Sequence, residues 1–209
     1  SDLDIGYLYR ENVLDLNVVG KLKPDLYRIP GNISSQFITG LLFALPLLSF
    51  DSIIEITTPL ESKGYIDLTL QVLKLYGIEV VNHEYKQFIV RGRQEYKARD
   101  YRVESDFSQA AFYLVAGALG NDVTLLDLNL DSLQGDKATI GFLKQMNCEI
   151  LENDEGIKVV SHGLKATTVD ASQCPDVIPV VSLALAVASG HSEVINAGRL
   201  RIKECDRLQ

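Results

Sequence analysis

Three things are scarce in this 209-residue sequence: long hydrophobic runs, cysteine and surplus positive charge. Its longest apolar stretches, FITGLLFALPLL (37–48) and VIPVVSLALAVA (177–188), are each about a dozen residues, short of the ~20 that a bilayer span requires, so both read as buried helices. The three cysteines, Cys148, Cys174 and Cys205, are odd in number, have no metal-ligand spacing and follow no signal-peptide pattern. They are expected to be reduced thiols of a cytosolic protein without a disulfide framework. Lys and Arg number 20 against 28 Asp and Glu, a net charge of −8. A nucleic-acid surface normally shows as a basic face, so none is expected. Any anion site must gather its cations locally.

Other chemistries lack their residues too. The sequence holds no glycine-rich nucleotide loop, no metal-ligand set and no G-x-S-x-G elbow. His83, His162 and His191 fall in loops without an acid or cysteine partner at useful spacing and read as surface residues. No low-complexity linker interrupts the chain, and 46% hydrophobic side chains over this length can bury a sizeable core in one large or two small domains.

What is present is an internal repeat. SSQFITGLLFAL (34–45) reads as a helix, SIIEIT (52–57) as a strand, YIDLTLQVLKLYGIEVV (65–81) as an amphipathic helix running into a strand, and QFIV (87–90) as a closing strand. The same order returns in FSQAAFYLVAGALG (107–120), VTLLDL (123–128), ATIGFLKQMNCEIL (138–151) and GIKVV (156–160). Ser35-Gln36 corresponds to Ser108-Gln109, 73 residues on, and Gly77 to Asn147, 70 residues on. A third copy opens with PDVIPVVSLALAVASG (175–190) and SEVINA (192–197), then stops in RIKECDR, where its second helix should begin. The chain is therefore expected to be a piece of a larger protein, with apolar faces left unpaired against a stability margin of about 5–15 kcal/mol. Strand-like NVLDLNVVG (12–20) and DLYRIPG (25–31) read as the tail of an earlier copy, and the polar stretch 94–106 as a domain crossover.

Polar residues collect where helices begin, where free N–H groups and the positive end of the helix dipole favour anions. Ser34, Ser35 and Gln36 stand at the first such point, Ser62 and Lys63 at the second, and Asp176 at the start of the third-copy helix. Helix capping by Ser34, Ser35 or Asp176 is one reading. Ligand contact by the serines, and general-base work by Asp176, is the other. If the terminal segment is helical, Lys203 and Arg207 share a face that can hold a phosphate or carboxylate, with Glu204 turned aside.

Taken in order, GNISSQFITGLLFALPLL, SKGYIDLTLQVLKLYGIEV, YRVESDFSQAAFYLVAGA, LQGD, PDVIPVVSLALAVASG and LRIKECDRL resemble the central part of the 5-enolpyruvylshikimate-3-phosphate (EPSP) synthase family, over nearly the whole chain. The resemblance implies an α+β protein of repeated βαβαββ units, the α/β prism of enolpyruvyl transferases. About two and a half units are present, the last truncated. Residues 1–103 would belong to the domain that binds shikimate 3-phosphate and 104–209 to the second domain. It implies a monomeric cytosolic enzyme of the shikimate pathway. That enzyme moves the enolpyruvyl group of phosphoenolpyruvate to the 5-hydroxyl of shikimate 3-phosphate, with no cofactor, membrane or nucleic acid.

By matching motifs, Ser34, Ser35, Gln36, Ser62 and Tyr65 would contact shikimate 3-phosphate, the serines on its phosphate. Asp176 would take the proton of the attacking hydroxyl, Lys203 would sit near the reacting oxygens, Glu204 would move protons at the methylene, and Arg207 would pair with phosphoenolpyruvate. The family's other substrate-binding Lys and Arg positions lie outside this chain, which is expected to be inactive alone. Ser105, Gly64 and Cys205 stand where the family usually has Gly, Pro and Ser or Thr; the first two are expected to loosen the crossover and a substrate loop. Two further readings stand beside this one: a non-catalytic scaffold with the same fold, and the related UDP-N-acetylglucosamine enolpyruvyl transferase, which differs at the Ser-Ser-Gln and Lys-Glu-x-Asp-Arg motifs.

Overall fold

A computed structural model describes residues 6–10, 15–154 and 156–209. These form two compact units: one takes the described residues up to 31 with 36–60 and 69–99, the other 32–35, 61–68 and the described residues of 100–209.

The first unit opens with an antiparallel pair, Gly6–Arg10 (β1) and Asp15–Val19 (β2), exposed along its whole length. The strand expected over 12–20 is therefore seen from residue 15; residues 12–14 lie outside the described residues. Leu26–Ile29 (β3) then runs parallel to Ser52–Ile56 (β4), with Tyr27 opposite Ile54. Parallel neighbours need a crossover, and helix Ser35–Ala44 (α1) makes it. Helix Lys63–Leu75 (α2), whose residues from 69 on belong to this unit, leads to Val80–His83 (β5) and Gln87–Val90 (β6), completing a sheet of order β3-β4-β6-β5. The interior takes Tyr27, Ile54, Phe88 and Val90 from the sheet and Ile38, Leu42 and Leu73 from the helices. The alternating burial of Gln87–Val90 is what one packed sheet face predicts. α2 ends where Gly77 takes a φ of 83°, with Gly77 N–H bonded to Lys74 and Ile78 N–H to Leu73, a left-handed cap that glycine adopts without strain.

The second unit repeats the arrangement. Asp106 caps Phe107–Ala118 (α3) by accepting from the Ser108 N–H at 2.8 Å. Thr124–Leu125 (β7), Ala138–Gln145 (α4), Cys148–Asn153 (β8) and Gly156–Ser161 (β9) follow, giving a sheet of order β7-β9-β8 that matches β4-β6-β5. Asn147, the counterpart of Gly77, also has a left-handed φ of 71°. β7 is shorter than the strand expected over 123–128, since Asp127 is left-handed at φ 65° and turns the chain.

Thr168–Asp170 (β10) is parallel to Glu193–Ile195 (β11), joined by Ile178–Val187 (α5), as β3 and β4 are joined by α1. DLYRIPG thus opens the first repeat by its pairing with β4, instead of closing an earlier one. One apolar core holds Phe107, Leu114, Leu143, Met146, Val159, Val169 and Val181 together with Leu200 from the terminal segment. No helix among the described residues is long and apolar enough to cross a membrane.

Candidate active site

The terminal segment is not the helix that the Lys203/Arg207 spacing invites. A 3-10 turn over Gly198–Ile202 ends at Lys203, whose ψ of −158° makes its backbone extended. Buried Leu200 anchors the turn, and the chain doubles back so that Arg207 N–H bonds to the Leu200 carbonyl at 3.1 Å. Exposed Arg201 and half-buried Asp206 pair at 2.8 Å across the same loop.

This loop carries Lys203 and Arg207 to the turn before α5, where Asp176 sits. Arg207 Nη1 donates to Asp176 Oδ1 at 2.8 Å, and Lys203 Nζ lies 3.1 Å from the same oxygen. Arg207 Nη2 donates to Glu204 Oε2 at 2.5 Å, so Glu204 faces the cluster instead of turning aside. Capping does not explain Asp176: the residue before α5 is Val177, and among the described residues no side chain caps that end. Burial alone would raise the Asp176 carboxyl, but hydrogen bonds and charge from Lys203 and Arg207 outweigh it and hold the pKa below the ordinary aspartate value. The Glu204 carboxyl is also lowered, by a hydrogen bond from its own backbone and by Arg207.

A second polar network lies at the head of α2. Ser62, buried and left-handed at φ 55°, accepts a hydrogen bond at Oγ from Arg199 Nη2 at 2.6 Å. Arg199 Nη2 also reaches the Ser172 carbonyl at 3.3 Å, and its Nε is 3.1 Å from Glu61 Oε2. That last contact is an ion pair off the hydrogen-bond line, since Nε has no hydrogen-bond acceptor among the described residues. Gln173 Oε1 accepts from Lys63 N–H at 2.9 Å. Tyr65 Oη donates to Asp136 Oδ2 at 2.5 Å, and Ser108 Oγ donates to the same oxygen at 2.8 Å.

Asp136 is 1% exposed and its other oxygen has no hydrogen-bond partner among the described residues. Burial, with the nearby charges of Asp176 and Asp106, pushes its pKa up against the pull of the two hydroxyls. Tyr65 is raised as well, by burial first and then by Asp136. Asp176 is near enough to act electrostatically on both, which ties the two networks into one region. Ser34, Ser35 and Gln36 stand at the start of α1, the serines half-buried and Gln36 exposed.

A model of the EPSP synthase (3-phosphoshikimate 1-carboxyvinyltransferase) family matches residues 2–209. This chain belongs to the EPSP synthase family. It is 59% identical over 205 residues to the 3-phosphoshikimate 1-carboxyvinyltransferase of Clostridioides difficile (strain 630), covering 98% of this chain and 47% of that one. It is 53% identical over 209 residues to the enzyme of that name from Clostridium perfringens (strain ATCC 13124), covering all of this chain and 49% of that one. It also superposes on an EPSP synthase structure from Acinetobacter baumannii with a TM-score of 0.72, over 99% of this chain and 49% of that one, at 23% identity, which speaks for the fold alone. The chain spans about half the length of the relatives it matches.

Gly64 is closely packed. A Cβ there would meet the Leu133 carbonyl oxygen at 2.7 Å and the Gly135 nitrogen at 3.0 Å, so a larger residue would require the backbone to shift. Near Ser105, Gln134 accepts from Phe107 N–H and donates to the Ser105 carbonyl, both at 2.8 Å, which holds the entry to α3. Cys205 is exposed. Two histidine readings also change: His83 is the last residue of β5, and His162 Nε2 stands 3.2 Å from Glu149, brought near by the β8–β9 hairpin across a separation of 13 residues.

Sequence reasoning missed Arg199, Glu61, Gln173, Ser108 and Asp136. Ser108 carried a signal, being the repeat counterpart of Ser35, and Asp136 lies in the LQGD motif. Arg199 meets Ser62 across 137 residues, a pairing that no local pattern announces.

Proposed function

We propose that the full-length protein carrying this chain transfers the enolpyruvyl group of phosphoenolpyruvate to the 5-hydroxyl of shikimate 3-phosphate and releases inorganic phosphate. The observation that carries this reading is the Asp176–Lys203–Arg207–Glu204 cluster, two carboxylates bridged by one forked guanidinium with an ammonium beside them.

The reaction adds the 5-hydroxyl oxygen to C2 of phosphoenolpyruvate while C3 gains a proton, giving a tetrahedral intermediate. Loss of phosphate from C2 and of a proton from C3 then restores the double bond. Such a sequence needs a base for the hydroxyl, a proton carrier at C3 and fixed cations for the anionic groups. Asp176, ionised because two cations hold its pKa low, is the base. A carboxylate so stabilised is a weak base, and arrival of the anionic substrates strengthens it by drawing Lys203 and Arg207 away. Glu204, exposed beside Arg207, serves C3. Ser34, Ser35, Gln36, Ser62 and Tyr65 bind shikimate 3-phosphate, with residues 1–103 in the domain that recognises it and 104–209 in the second domain. Charged hydrogen bonds contribute about 1.5–3 kcal/mol each, so two multiply charged substrates require several, including groups outside this chain.

The test is steady-state phosphate release by the full-length protein from shikimate 3-phosphate and phosphoenolpyruvate. A positioned acid or base contributes about 10²–10⁴-fold, so Asp176→Ala and Glu204→Ala should each lower kcat by at least about 100-fold. Turnover unchanged in either variant would sink that residue's role.

A further inference from the structure

Arg199 has no part in the proton chemistry just described, yet it is one of the most buried cations of the chain, with its side chain 6% exposed. A buried guanidinium normally meets a carboxylate through its fork. Here the contacts are poorer: Glu61 lies beside Nε without a hydrogen bond, Nη2 takes a long bond to the Ser172 carbonyl, and the short bond goes to the Ser62 hydroxyl. Ser62 is itself held in a left-handed conformation that costs a non-glycine residue free energy. Stability alone does not favour such an arrangement.

The geometry also fixes the direction of the serine hydroxyl. A guanidinium only donates, so at 2.6 Å the Ser62 oxygen must be the acceptor, and its own proton must point away from Nη2. An O–H group backed by a fixed positive charge is a good donor to an anionic oxygen and a poor acceptor from a neutral hydroxyl. Resting on the functional reading above, we propose that Arg199 is a positioning residue for phosphate recognition, acting through Ser62 and not by its own contact with the ligand. Arg199 orients and polarises the Ser62 hydroxyl as a donor to the phosphate oxygens of shikimate 3-phosphate, and Glu61 holds the guanidinium in place.

The experiment is calorimetric titration of the full-length protein with shikimate 3-phosphate and, separately, with shikimate, which lacks the phosphate. Loss of one charge-assisted hydrogen bond corresponds to about 10- to 100-fold in affinity. Arg199→Ala should weaken shikimate 3-phosphate by about that factor and leave shikimate within about threefold. In a Ser62→Ala background, Arg199→Ala should add almost nothing, because the path runs through the serine. Arg199→Lys keeps a cationic donor and should restore most of the phosphate preference; Arg199→Gln should not. These two variants carry the test if circular dichroism finds Arg199→Ala unfolded. Equal weakening of both ligands would assign Arg199 a purely structural role, and an undiminished effect in the Ser62→Ala background would assign it a direct ligand contact; either overturns the proposal. An unsubstituted full-length protein that binds neither ligand would instead sink the functional reading, and this inference with it.

Discussion

Asp176 and Asp136 are both aspartates at the edge of the same region, and their surroundings oppose each other. Asp176 is half-buried with two cations on one oxygen, and its pKa is held down. Asp136 is almost fully buried, with hydroxyl partners and no cation at hydrogen-bonding distance among the described residues, and its pKa is pushed up. The contrast separates two tasks. A group that must exchange a proton or meet a charged substrate stands where charges can rearrange. A group that fixes the orientation of its neighbours is sealed away from them, at an energetic cost that burial imposes on an acid without a counter-ion.

The comparison breaks most severely at Arg207, the residue that makes the Asp176 side charged. Arg207→Ala removes charge-assisted bonds to Asp176 and Glu204 together, and two such bonds correspond to roughly 10²–10⁴-fold. The expected result in the full-length protein is a fall of that size in kcat/KM for phosphoenolpyruvate. Arg207→Lys should recover little, since an ammonium cannot bridge two carboxylates as the fork does. A loss below about threefold, measured by initial rates, would place the substrate's cation elsewhere.

Next in size is Asp136→Ala, which leaves the Tyr65 and Ser108 hydroxyls without their common acceptor. The two hydroxyls still bond to each other, so about one polar group's worth of bonding is lost, and denaturant unfolding should report a loss of about 1–3 kcal/mol. Asp136→Asn keeps an acceptor oxygen and removes the uncompensated charge. It should cost clearly less than Asp136→Ala; equal losses would mean that the charge itself matters, and the two aspartates would then be alike.

How far the sequence reveals these two environments follows from the range of the contacts. The repeat exposed α1 to α5 and most strands, because amphipathic period and turn chemistry are local. It also paired Gly77 with Asn147 before their shared left-handed conformation was visible. β1 and β10 escaped: β1 falls in a segment without helix-like or repeated pattern, and β10 is three residues long. Of the candidate site, Asp176, Lys203, Glu204 and Arg207 were legible as chemical types in a dense segment. Their geometry was not, since an i, i+4 spacing implies one helical face only where the backbone is helical, and Lys203 is extended. The Asp136 side was nearly silent. Tyr65 and Asp136 are 71 residues apart, and only folding decides that a buried carboxylate receives two hydroxyls.

The smallest effect is the most direct test of the contrast, because the two aspartates should shift stability with pH in opposite senses. Asp176 has a folded pKa below its unfolded value. It therefore contributes stability above the unfolded pKa, and that contribution disappears as pH falls through the folded one. Asp136 has a folded pKa above its unfolded value. It is most compatible with the fold below the unfolded pKa, and its ionisation removes stability as pH rises through the folded one. A single group changes the free energy by at most about 1.4 kcal/mol per pH unit, so the readout is a difference between variants and not the whole curve. Urea unfolding of the full-length protein, followed from about pH 3 to pH 8, should show Asp176→Asn losing part of the acid-side fall in stability. Asp136→Asn should gain on the unsubstituted protein as pH rises above the ordinary aspartate range. The same sign for both variants would mean that Asp136 meets a compensating cation in solution, and the division between a charged working acid and a sealed positioning acid would fail.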